Sequence, residues 1–190
     1  MPAELPIVHF ASAQEWEQWL EVNHTDSPGL WLKIAKAGSG HASVSYQEAL
    51  DLALCFGWID RQKGAFDDEF WLQKFTQRRP KSIWSQVNRE KIAALTAAGK
   101  MREAGLRQVE AAKADGRWDA AYASQKNMTV PEDFQAALDS NPAALAFWGK
   151  LNGTNRYAVL HQIVTAKKAE TRQKRIEKFI QMLTENKKLY

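Results

Sequence analysis

The residues best suited to chemistry fall between Trp58 and Asn88. Asp60 sits two positions after Trp58, and the run Arg78-Arg79-Pro80-Lys81-Ser82 leads into Trp84, Ser85 and Asn88. A helix is expected to begin near Ser85. A helix N-terminus leaves about four backbone N–H groups unpaired and carries roughly half a positive charge. Arg78, Arg79, Lys81 and Ser82 placed just ahead of it therefore make a socket for phosphate or carboxylate. Arginine adds a planar fork that grips such oxygens in pairs, Trp84 can stack on a base or ring, and Asn88 can orient the bound group. The competing reading is that Ser85 only caps the helix, Arg79 pairs with Asp60 or Asp67, and Trp84 fills the core.

In an alternating strand Trp58 and Asp60 share one face while Ile59 takes the other. A carboxylate beside a large ring is partly desolvated and suits a general base, with Arg79 and Lys81 clamping an anionic substrate. The plainer role is a structural salt bridge to Arg61, Arg78 or Arg79. Asp60 has no partner acid and no nearby histidine in the sequence, so a non-catalytic anion-binding protein is the leading expectation and an enzyme the alternative. A third reading, a stress-response module, would hold another protein through exposed aromatic and basic surfaces.

Other chemistries lack their signatures. His9, His24, His41 and His161 are scattered without ligand spacing, and Cys55 is the only cysteine, so neither a metal site nor a cofactor is expected. No phosphate-loop, dinucleotide, serine-hydrolase or zinc-protease motif occurs. Cys55 sits between Leu54 and Phe56 in an apolar stretch, which makes it a buried thiol rather than a nucleophile.

These residues need elements to hold them. PIVHF (6–10) reads as a short strand, and Ser12 with Glu15 as a capping box opening a helix that buries Trp16, Trp19 and Leu20. After Ser27-Pro28-Gly29, Leu30, Leu32 and Ile34 alternate with Trp31, Lys33 and Ala35 as in a half-buried strand. Ser45 and Glu48 repeat the capping box before a core helix over 46–56 that Gly57 stops. WIDRQK and FWLQKFT form a strand pair around a polar turn over 64–69. From Ser85 onward the pattern is helical, with helices expected over 86–98, 101–114, 132–138, 143–151 and 155–168, and a last one burying Ile176, Phe179, Ile180 and Leu183. Thr129 is expected to start the helix over 132–138, and Asn141 to cap the next ahead of Pro142. The fold class is α+β: a small antiparallel or mixed sheet with capped helices over 1–126, then an all-helical module over 127–190, divided at the loop SQKN.

An apolar fraction of 45% over 190 residues specifies a folded chain with a sizeable core. No run approaches ~18 apolar residues, and the start MPAELPIVHF has neither a basic nor an apolar leader region, so no membrane span and a cytoplasmic address are expected. The lone cysteine suits a reducing compartment. The net charge of +4 is concentrated after Thr165, where eight Lys/Arg face three Glu. That basic helix could track nucleic acid, but Glu170 and Glu177 interrupt it and make a solvated face the stronger reading.

The order ALCFGWID, FTQRRPKSIWSQVN, VPEDFQAAL with NPAALAFW, and AKKAETRQKRI resembles the bacterial YdeI/OmpD-associated, or bacteriocin-protection, family, over nearly the whole chain. The family's usual form has Pro where this chain has Gln77, which alters rigidity ahead of Arg78 rather than charge. The resemblance implies a small bacterial cytoplasmic protein with links to bacteriocin tolerance or envelope stress. It brings no catalytic residues to carry over.

Overall fold

The structure is a computed structural model that describes residues 4–190; residues 1–3, part of the start read above for a leader, lie outside it. The chain divides into two compact units, one running to Trp84 and again over Asn88–Ala121, the other comprising Ser85–Val87 and Tyr122–Tyr190.

The first unit is built on a four-stranded mixed sheet in the order β1-β2-β4-β3. Its strands are β1 (Ile7–His9), β2 (Leu30–Ala35), β3 (Trp58–Ala65) and β4 (Phe70–Gln77), with helices α1 (Ala13–Asn23) and α2 (Tyr46–Cys55) between them and α3 (Gln86–Ala97) and α4 (Glu103–Ala114) after. β1 runs parallel to β2, and β4 is antiparallel to both β2 and β3. The alternation of β2 is as expected: Leu30, Leu32 and Ile34 are buried and face the helices. The strand pair β3–β4 takes in Gly64 and Ala65, so its turn is only residues 66–69, closed by Asp67 accepting from the Glu69 and Phe70 N–H groups.

Both expected caps form. Ser12 accepts from the Glu15 N–H, but Glu15 reaches back to the N–H of Ala11 rather than that of Ser12. Ser45 and Glu48 close the full reciprocal box at the start of α2. Gly57 ends that helix at φ +75°, in the left-handed region where glycine alone is unstrained, and turns the chain straight into β3. Helix α1 lays Trp16 and Trp19 against Trp58, and Trp16 also meets Phe75 of β4. α4 starts two residues later than the apolar pattern suggests, because Arg102 gives its N–H to the Cys55 carbonyl before the helix begins.

The second unit is helical: α5 (Glu132–Asp139), α6 (Pro142–Lys150), α7 (Gly153–Val164) and α8 (Ala169–Thr184) enclose a separate core of Phe134, Leu138, Trp148, Val159, Ile163, Phe179 and Leu183. Asn141 caps α6 as expected. Thr129 does not cap α5; Pro131 occupies that place without a side-chain bond. α7 is shifted toward the N-terminus because Asn152 accepts from the Asn155 N–H and starts the helix earlier. Ser85 forms a bridge to Tyr122, and the Gln86 N–H donates to the Tyr122 carbonyl at 2.9 Å. Among the described residues no helix is long and apolar enough to cross a membrane.

Candidate functional site

The paired arginines after β4 have opposite fates. Arg78 is 5% exposed; its guanidinium lies 3.5 Å above the ring of the fully buried Trp84 and donates to the Ile83 carbonyl. Trp84 in turn meets Trp118 edge to face at 5.0 Å, and among the described residues its indole N–H has no hydrogen-bond acceptor, so ring packing orients it. Arg117 ties the same turn from α4's far end, donating to the Ser82 carbonyl at 3.0 Å while its own charge is met by Asp115. Ser82 accepts the Arg79 N–H through Oγ. The turn is thus laced shut by Arg78, Ser82 and Arg117. Arg79 and Lys81 are left on the surface, and among the described residues neither has a carboxylate within 4.0 Å. Ser85 and Asn88 are half-buried at the start of α3. Of the residues expected to form one socket, Trp58, Arg78 and Trp84 are therefore interior, while Arg79 and Lys81 face solvent.

Asp60 does point to the helix-covered face with Trp58, opposite Phe75 of β4. Its partner is not an arginine: Tyr46 of α2 donates its hydroxyl to Asp60 at 2.8 Å, and the salt bridge expected to Arg61, Arg78 or Arg79 does not form. Arg61 instead donates to Thr76 on the other face, because alternation puts residue 61 opposite to 60. Trp58 spends its indole N–H on the His24 carbonyl at 3.0 Å and forms one wall of a small cavity of about 190 Å³ shared with His24, Gly57, Gln77 and Arg107.

A larger open groove of about 610 Å³ lies at the turn end of the sheet, lined by Lys36, Ala37, Lys63, Gly64, Ala65 and Trp71. The strand register builds it. Ala65 pairs with Trp71 and Lys63 with Gln73, so Lys63 and Trp71 are diagonal neighbours on one face, and the Lys63 ammonium sits 4.3 Å from the indole centroid. Tyr46 approaches Trp71 at 6.0 Å from the α2 side. Lys36 enters from the end of β2, anchored by donating to the Asp67 carbonyl at 2.7 Å. Among the described residues no carboxylate lines the groove. None of Lys36, Lys63 and Trp71 was expected from the sequence as a ligand residue. The β3–β4 register was the one signal that could have joined Lys63 to Trp71.

Cys55 is 2% exposed and burial pushes its thiol up to about 11. Among the described residues no three His, Cys, Asp or Glu side chains are grouped to hold a metal ion. In the second unit the basic face of α8 is partly spent: Arg172 forks onto Asp133 at 2.6 and 2.8 Å, Arg175 donates to the Gln162 carbonyl, and Lys174 pairs with Glu170 at 2.6 Å as the spacing of four predicts.

Residues 8–108 match a family model described as a domain of unknown function (DUF8412). Residues 127–186 match the model described as Bacteriocin-protection, YdeI or OmpD-Associated. ALCFGWID and FTQRRPKSIWSQVN fall inside the first match, and VPEDFQAAL, NPAALAFW and AKKAETRQKRI inside the second. No curated relative and no solved structure matches the chain.

Proposed function

The chain belongs to the DUF8412 family and carries a YdeI/OmpD-associated domain toward its C-terminus, and from that premise we propose that it is a non-catalytic binding protein for a small anionic ligand. The ligand bears a phosphate or carboxylate and sits in the groove of Lys36, Lys63 and Trp71. One observation carries this reading: two ammonium groups and an indole line one open groove of about 610 Å³ with no carboxylate among its described walls. Fixed cations in a concave surface attract anions, and the indole offers a flat apolar wall against which the body of the ligand can rest. The description of the C-terminal match supports a setting in bacteriocin protection, and the lone buried thiol suits the cytoplasm.

A thermal-shift and calorimetric screen of inorganic phosphate, nucleotides, sugar phosphates and aromatic carboxylates tests the reading. A ligand that binds only the folded protein raises its melting temperature, by about 2.7 kcal/mol of stability at a hundred times Kd. The shift should vanish in Lys36→Ala/Lys63→Ala. Shifts that survive this double substitution rule the groove out.

A second reading keeps the anion at the turn after β4, supported by Arg79 and Lys81 standing exposed without an acidic partner among the described residues. It predicts that Arg79→Ala/Lys81→Ala, and not the groove variant, abolishes the shift.

A further inference from the structure

We infer that the sheet face turned away from the helices is a platform for single-stranded nucleic acid, with Trp31 as its stacking residue and Lys33, Arg61 and Lys74 as its phosphate contacts. The four helices of the first unit gather on the side that carries Trp58. Trp16 of α1 meets Trp58 and Phe75, Tyr46 of α2 bonds Asp60, Lys91 of α3 pairs with Asp51 of α2, and the Arg102 N–H ahead of α4 bonds the last residue of α2. The strand register then defines the opposite face. Ile7 pairs with Trp31 and His9 with Lys33; across β2 and β4, Trp31 pairs with Lys74 and Lys33 with Leu72; and Gly64 of β3 pairs with Leu72. Arg61 joins them through its bond to Thr76.

Two properties of this face point to one kind of occupant. First, it is aromatic and partly exposed, with Trp31 half-buried. The Trp31 indole extends from β2 across β4 to Gly64 of β3, where a Cβ would stand 3.5 Å from its ring, so the missing side chain leaves room for the ring over the strands. Phe66 is 44% and Ile7 51% exposed, and Phe70 and Leu72 lie outside the unit's main core, screened largely by side chains of this face. Second, the charge is of one sign. The charged residues at outward strand positions are Lys33, Arg61 and Lys74, with no carboxylate among them. The lysines stand over rings, Lys33 at 4.0 Å from Phe70 and 4.6 Å from Phe66, Lys74 at 5.4 Å from Trp31. Unpaired bases stack on a flat ring while the phosphates between them are met by flanking cations, and an open four-stranded sheet spaces the two. A duplex hides its base faces and has no use for the ring.

Fluorescence anisotropy of the full chain with labelled single-stranded RNA and DNA 20-mers, and the matching duplex, decides the matter. Three phosphate contacts predict a slope of log affinity on log salt of about −2, or roughly a twenty-fold loss between 50 and 200 mM salt. Trp31→Ala should weaken binding by about 5- to 150-fold, and Trp31→Phe should restore part of it, which also covers a Trp31→Ala chain that fails to fold. Lys33→Ala/Lys74→Ala should flatten the slope by more than half. A preference for RNA or for DNA with these dependences supports the platform, and the difference between the two strands reads whether the 2′-hydroxyl is engaged. Absence of binding, equal affinity for duplex, indifference to both Trp31 substitutions, or dependence on Lys174 and Lys178 instead would overturn it. So would sedimentation showing a dimer that Trp31→Ala dissociates, because the face would then be occupied by a second copy.

Discussion

Gly105→Ala poses the sharpest test of how this fold is held. In the interior of a helix alanine is favoured over glycine by about 1 kcal/mol, so helix propensity alone predicts a stabilised protein. The structure predicts the reverse. A Cβ on Gly105 would stand 2.2 Å from the Cys55 carbonyl oxygen and 2.8 Å from that of Leu54. Both are backbone atoms at the end of α2, unable to step aside as a side chain would. The junction is closed from the other side as well: a Cβ on Gly57 would lie 2.9 Å from the Ala104 oxygen, and the Arg102 N–H already bonds Cys55 at 3.2 Å. Carbon–oxygen contacts settle near 3.3–3.6 Å, so α4 must withdraw by about 1 Å. Overpacking of this kind costs about 1–3 kcal/mol, and losing the Arg102 bond about 1 more. Set against the propensity gain, the net loss is about 1–3 kcal/mol, a fall in melting temperature on the order of 5–10 °C. Urea unfolding followed by tryptophan fluorescence reads it, since seven of the eight tryptophans belong to the first unit. Gly149→Ala in α6 is the control: nothing lies within 4 Å of its added Cβ, so propensity should prevail there and the second unit gain a few tenths to 1 kcal/mol. A Gly105→Ala protein as stable as the parent would refute the close approach of α4 to α2.

Three further outcomes follow from the site geometry. Arg78→Ala should destabilise the first unit by about 2–3 kcal/mol, because it strips a buried guanidinium from Trp84 and the Ile83 carbonyl, whereas Arg79→Ala should stay within about 0.5 kcal/mol; paired urea curves check the contrast. Cys55 should resist a thiol reagent at pH 8 in the native protein and react at once in denaturant, as burial both shields it and holds it protonated. His161 stands between the rings of Tyr122 and Tyr157, and burial, helped by the Arg175 charge, lowers its pKa. The unfolded chain then binds the proton more readily than the folded one. Stability of the second unit should be full above about pH 6.5 and decline as pH falls toward the depressed folded value, and His161→Phe should flatten that decline in α7 amide exchange.

What the linear order of residues determined here is local. Ser12 and Ser45 cap their helices because a hydroxyl needs only the N–H three positions on, and the alternation of β2 separates core from surface because consecutive residues must face opposite ways. Gly57 ends α2 for an equally local reason, its positive φ. The candidate chemistry depended on partners distant in sequence, and there only the tertiary structure could decide. Arg78 and Arg79 are identical as letters, yet Trp84 and Ile83 claim one and solvent the other. Asp60 answers to Tyr46, fourteen residues back on another element, because α2 packs on the face that strand alternation assigns to Asp60. Lys36, Lys63 and Trp71 meet only through the pairing of three strands, and that register is settled by which side chains the whole core can bury, a sum no short stretch of sequence contains.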